Sequence, residues 1–179
     1  VVARFRREAV FLSRIRSDYV ARVVDFVEDP AVGLALVMEF IDGDPLSKIL
    51  QQKTLTVEEA LELSIDIVSA LRDLHYAKII HRDLKPGNII IQRRYDGASR
   101  AVIVDFGVSR LVKGSAEDEE MTGITRADMA VGTIEYMAPE QSTGAEPTPR
   151  FDLYALGVIA YEMLTGRRLF LGESDYQTV

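Results

Sequence analysis

The sequence predicts an α+β fold in two unequal parts, a small strand-bearing front and a mostly helical back. Three observations carry that expectation. Two apolar runs rich in β-branched residues, Val20–Glu28 and Leu34–Phe40, stand near the start. A capping box, Thr56-Val57-Glu58-Glu59, opens a long amphipathic stretch behind them. A second apolar stretch, Asp152–Thr165, ends on Gly166, a residue suited to close a helix.

Taken in order, residues 2–16 read as a helix, because Phe5, Ala9, Leu12 and Ile15 recur at helical spacing among Arg4, Arg6, Arg7 and Glu8. Asp29-Pro30-Ala31-Val32-Gly33 supplies a hairpin turn between the two strands. Pro45–Gln52 reads as a short helix. The capping box starts a helix to about Ala77, with Ala60, Leu63, Ile67, Leu71 and Leu74 as its buried stripe. Short strands are expected at Ile79–Ile80, Ile89–Gln92 and Ala101–Val104, with Asp96-Gly97 turning between the last two. Residues 108–137 are mostly polar, hold the acidic block Glu117-Asp118-Glu119-Glu120, and read as a loop. No internal repeat is present.

At 179 residues and 47% apolar content the chain can enclose one core. It has no cysteine, so it can form neither a disulfide nor a thiolate metal site, which fits a reducing cytoplasm. A net charge of -7 and a pI near 4.9 argue against nucleic acid as a partner. No apolar run approaches the roughly 18 residues of a membrane span, and no basic-then-apolar leader opens the chain. The start at Val1-Val2-Ala3-Arg4 and the end at Thr178-Val179 both fall inside patterned sequence. The chain is therefore expected to be a piece of a larger protein.

The chemistry concentrates in three runs: His81-Arg82-Asp83-Leu84-Lys85-Pro86-Gly87-Asn88, then Asp105-Phe106-Gly107, then Ala138-Pro139-Glu140. A lone Asp or Asn in a loop is ordinarily just a solvated polar residue. Three runs in this order and spacing are a constellation, and they resemble the catalytic core of Ser/Thr protein kinases. Gly132-Thr133-Ile134-Glu135-Tyr136-Met137-Ala138-Pro139-Glu140-Gln141 and Arg4-Phe5-Arg6-Arg7-Glu8-Ala9 are similar to the bacterial Hanks-type branch.

The resemblance implies a truncated, two-lobed protein-kinase-like fold. Residues 1–41 would be the remainder of the small lobe up to the hinge, and 42–179 the large lobe through the helix at 152–165. It implies transfer of the ATP γ-phosphate, with Mg2+, to Ser or Thr hydroxyls of protein substrates. Asp83 would take the hydroxyl proton, Lys85 would neutralise the moving phosphate, and Asn88 and Asp105 would hold the magnesium ion. Lys85 within Asp-Leu-Lys-Pro-x-Asn favours Ser/Thr over Tyr as acceptor. Glu8 would pair with a strand lysine that must precede Val1. Met38 would stand beside the adenine, the Glu39 carbonyl and the Ile41 amide and carbonyl would bind it, and Ile90 would close its site from below.

Leu12, Val23, His81 and Phe106 match the stack of side chains linking the lobes, so His81 is a packing residue and not a ligand. Asp152 matches the helix aspartate that holds the catalytic-loop backbone; Ile159 and Met163 match the apolar anchor under the adenine. Arg82 and Arg110 form the expected receptor for a phosphate on Thr122 or, preferably, Thr125, while Thr133 would contact Asp83. Self-association for autophosphorylation goes with that scheme. No Gly-rich phosphate loop, strand lysine or arginine partner for Glu140 is found in the chain. The resemblance therefore implies a fragment inactive by itself. Two other readings compete: a pseudokinase that only binds partners, and a small-molecule kinase of the aminoglycoside-phosphotransferase kind. Intact Asp83, Lys85, Asn88 and Asp105 oppose the first, and the long segment between Asp105 and Glu140 opposes the second.

Overall fold

The computed structural model describes residues 12–29, 33–95, 97–105 and 134–170. Among these, the strands are β1 (Val23–Asp29), β2 (Gly33–Met38), β3 (Gly43–Pro45), β4 (Ile89–Arg93) and β5 (Ser99–Ile103). The helices are α1 (Leu46–Leu50), α2 (Val57–Tyr76), α3 (Pro139–Ser142) and α4 (Pro149–Thr165). Single 3-10 turns lie at Pro86–Asn88 and Ile134–Tyr136.

β1 and β2 form an antiparallel pair, with Asp29 opposite Gly33 and Val23 opposite Met38. β3, β4 and β5 form a second antiparallel sheet with β4 in the middle. Its register sets Pro45 against Ile90 and Ile89 against Ile103. The long helix α2 begins as its capping box requires: Thr56 Oγ1 accepts from Glu59 N–H at 3.1 Å, and Glu59 Oε2 accepts from Thr56 N–H at 2.8 Å. Its buried face is Ala60, Leu63, Ile67, Ala70, Leu71 and Leu74. That face packs on β5 and α4, and Ile89, Ile103, Ile159 and Met163 close the core around it.

Both helix ends that leave the core do so through left-handed residues. Gly166 (φ 66°) ends α4, and its N–H donates to Glu162 O at 2.8 Å. Lys78 (φ 63°) ends α2: Lys78 N–H donates to His75 O and Ile79 N–H to Leu74 O, both at 2.9 Å. This is a Schellman closure with a lysine where glycine is usual.

The structure differs from the sequence expectations in four places. Ile79–Ile80 is not a strand: the Ile79 amide closes α2, and among the described residues no strand pairs with it. The first strand starts at Val23, not Val20. Val20 instead makes a parallel bridge to Ile103, with Ala21 N–H donating to Ile103 O and Ile103 N–H to Tyr19 O. Pro45 ends β3 rather than starting a helix, and α1 stops at Leu50. The helix expected over residues 2–16 lies mostly outside the described residues, and its visible end leaves helical geometry after Leu12.

Candidate active site

The ladder between β4 and β5 builds one corner of the site. Because Ile89 pairs with Ile103, the residues just before β4 meet those just after β5. Val104 N–H donates to the Asn88 carbonyl at 2.9 Å, which brings Asn88 beside the segment that ends in Asp105. The turn Pro86–Asn88 is closed by Asn88 N–H on Lys85 O at 2.9 Å. Proline at its first position fixes the entry.

Asp83 stands at the centre. Its Oδ2 accepts from Lys85 Nζ at 2.9 Å and from Asn88 Nδ2 at 3.4 Å. Asn88 Nδ2 also donates to the Asp83 carbonyl at 2.9 Å, which turns the Asn88 amide oxygen away from Asp83. Asp83 Oδ1 is buried and has no partner among the described residues. One oxygen of the carboxylate is thus held by Lys85 and Asn88, and the other is enclosed without a partner among the described residues.

A metal ion would find two oxygen donors here, the Asn88 amide oxygen and the exposed Asp105 carboxylate. No group of three or more His, Asp or Glu side chains converges among the described residues. So thin a protein donor set fits a hard cation that takes its remaining ligands from water and phosphate. It would not hold zinc.

The backbone that carries Asp83 is held from behind. Asp152, in the first turn of α4, is 1% exposed. Its carboxylate accepts from His81 N–H at 3.0 Å, from Arg82 N–H at 2.9 Å and from His75 Nε2 at 2.7 Å. Arg82 itself is half-buried, with a left-handed φ of 66°. His81 is buried, and its Nδ1 accepts from Asp83 N–H at 3.3 Å. Burial pushes the His81 pKa down against the opposing pull of Asp152, so the ring is held neutral.

The remaining positions fall around this centre. Met38 ends β2 half-buried against the core. Arg22 clasps Glu39 twice, its carbonyl accepting from Glu39 N–H at 2.9 Å and its N–H donating to Glu39 Oε1 at 2.7 Å. Ile41 follows half-buried. Ile90 lies on the opposite face of β4 from the buried Ile89 and Ile91. Leu12 and Val23 belong to the common buried core, and Ile159 and Met163 are fully enclosed. Glu140 is exposed in α3, so it carries no desolvated charge and needs no buried arginine here. Glu8, Phe106, Arg110, Thr122, Thr125 and Thr133 lie outside the described residues.

Three features escaped the sequence reading: the His75 contact to Asp152, Gln141, and the anchoring of residues 134–138 on α4 and on Arg168 just beyond it. Gln141 Oε1 accepts from Ala138 N–H, and its Nε2 donates to Arg82 O, both at 3.1 Å. Tyr136 OH donates to Glu162 at 2.5 Å, and Arg168 donates to Glu135 at 2.7 Å. Burial and the Glu162 bond push the Tyr136 hydroxyl pKa up, so it remains a donor. No local pattern announces such contacts, which join residues far apart in sequence.

Residues 2–179 match the protein kinase domain family. The chain belongs to that family. The kinase domain is 38% identical over 175 residues to the Ser/Thr-protein kinase pkn3 of Myxococcus xanthus, covering 97% of this chain and 31% of pkn3. It is 34% identical over 177 residues to the Ser/Thr-protein kinase PknA of Mycobacterium tuberculosis, covering 96% of this chain and 38% of that protein. In structure it is similar to Rad53 residues 1–466, solved in complex with AMP-PNP. That match has a TM-score of 0.72 and 26% identity, and it covers 97% of this chain and 41% of that solved chain. The kinase domain thus spans well under half the length of these relatives.

Proposed function

We propose that the protein containing this kinase domain transfers the γ-phosphate of ATP to serine or threonine hydroxyls of protein substrates. The observation that carries the reading is the divided Asp83 carboxylate, with Oδ2 held by Lys85 and Asn88 and Oδ1 left without a partner among the described residues. An acceptor hydroxyl donating to Oδ1 would be aimed at the phosphate and would lose its proton there. Lys85, already beside Asp83, supplies positive charge where the transferring group arrives. Bound to Asn88 and Asp105, a magnesium ion would neutralise charge on the nucleotide phosphates. Met38, Glu39, Ile41 and Ile90 would seat the adenine, over the support of Ile159 and Met163. Glu8 would pair with a lysine from the polypeptide before Val1.

On the same reading, residues 1–41 are the remnant of a small lobe and 42–179 are most of a large one. The kinase domain acts in the cytoplasm, whether or not a segment outside this chain anchors the protein to a membrane. Phosphate on Thr125 or Thr122, received by Arg82 and Arg110, switches the site on, and the protein associates with itself to place it. Thr133 would then complete the floor under the acceptor. The 179-residue chain alone is expected to be inactive, for want of a phosphate loop and the strand lysine.

The test uses the full-length protein with Mg-ATP, phosphosite mapping by mass spectrometry and an Asp83→Asn control. Phosphate on Thr122 or Thr125 that disappears in the control is expected, with a rate loss on the order of 10²–10⁴. Folded protein that phosphorylates neither itself nor a generic acceptor would instead mark a pseudokinase.

A further inference from the structure

Arg82 is the residue from which Asp83 projects, and it occupies a backbone conformation that a side chain with a Cβ disfavours. Something must hold it there. The structure supplies a hold on each side of the residue. Asp152 takes the Arg82 N–H at 2.9 Å, and the Gln141 amide donates to the Arg82 carbonyl at 3.1 Å.

The two holds have different origins. Asp152 belongs to α4 and is itself fixed by His75 of α2, so it forms part of the packed core. Gln141 belongs to α3, at the end of the segment that follows residues 106–133. That segment is tied down by Tyr136 on Glu162 and by Glu135 on Arg168. Gln141 spends its other end on the Ala138 amide, so one side chain joins the segment's backbone to the catalytic-loop backbone. Between them lies a cavity of about 10 Å³ bordered by Arg82, Asp83, Tyr136, Met137 and Gln141. That is room for about one water, so the two backbones approach closely without packing solidly. The amide bridge is the directional link across that gap.

We infer that Gln141 is a positioning residue for phosphoryl transfer: it pins the strained Arg82 peptide, and so the direction of Asp83, to the segment 134–141. It touches neither nucleotide nor acceptor. It makes the geometry of Asp83 depend on where that segment sits. The inference rests on the kinase reading, but one of its tests does not need activity.

In the full-length protein, Gln141→Met removes both bonds at nearly constant shape. Gln141→Glu at pH 8 keeps an acceptor for Ala138 and loses the donor to Arg82. For both, kcat should fall roughly tenfold with KM for ATP unchanged, about the effect of one lost buried hydrogen bond. Hydrogen exchange at residues 81–84 should rise by a similar factor while α2 stays protected. Wild-type kcat and wild-type protection in either variant would overturn the inference. So would uniform loss of protection through α2 and α4, which marks a purely structural residue. Should the wild-type protein show no transfer at all, the kinase reading fails by itself, and the exchange measurement still decides whether Gln141 pins the loop.

Discussion

His81 sits with its ring enclosed, its Nδ1 turned to the Asp83 amide and its pKa pushed down by burial. In the unfolded chain the same ring titrates near 6.5. Above that value both states hold it neutral, and the fold keeps its full stability. As the pH drops below it, the unfolded chain gains a proton that the folded one refuses, and stability falls by up to about 1.4 kcal/mol per pH unit. Urea titrations at pH 7.5, 6.5 and 5.5 should show that slope, and His81→Phe should flatten it. An unchanged slope in the variant would assign the acid sensitivity to other groups. The same position shows what single residues disclose in sequence. Asp83, Lys85 and Asn88 lie within one short run, so their convergence can be read directly from the chain. Gln141 and His75 meet their partners 59 and 77 residues away, and their roles exist only once the fold is built.

Among the elements, the two left-handed helix ends make opposite forecasts. A Cβ on Gly166 would come 2.6 Å from Thr54 Oγ1 in a backbone already at φ 66°. Gly166→Ala should cost about 1–2 kcal/mol. Lys78 bears the same conformation with its Cβ in place, so Lys78→Gly should stabilise by roughly 0.5–1 kcal/mol. Thermal midpoints of the two variants should move in opposite directions; a shared direction would contradict this account of the caps. The Gly166 end was legible because glycine announces it, and α2 because its capping box and 3.6-residue stripe agree. The Lys78 end was not: nothing in a lysine signals a left-handed turn, and the isoleucines after it imitate a strand. Val20 was misplaced for a related reason, since a β-branched run gives no hint that its first residues pair with a different sheet.

Across the whole molecule, the apolar surface is not all spent on the core. Leu61, Ile65 and Val68 of α2, with Leu153, Tyr161 and Leu164 of α4, remain exposed. Helix α4 is apolar around most of its circumference, as helices enclosed on all sides are. The 179-residue chain alone is expected to self-associate with rising concentration, and Ile65→Lys with Leu164→Lys to lower the weight-average mass in sedimentation. A chain that stays monomeric at high concentration would show these faces to be tolerated in water. Among the described residues no helix is long and apolar enough to cross a membrane, so these faces are not spans.

The Val20–Ile103 bridge has a mechanical meaning. Among the described residues, the backbone of the pair β1–β2 is joined to the sheet β3–β4–β5 by the covalent link at residues 39–42 and, separately, by the backbone bonds of Tyr19 and Ala21 to Ile103. A door hung at two points swings about the line that joins them. Points on that line hardly move, and Ile103 lies two residues from Asp105. Motion of β1 and β2 about that line would therefore sweep their far ends through space and leave the proposed metal ligand near its place.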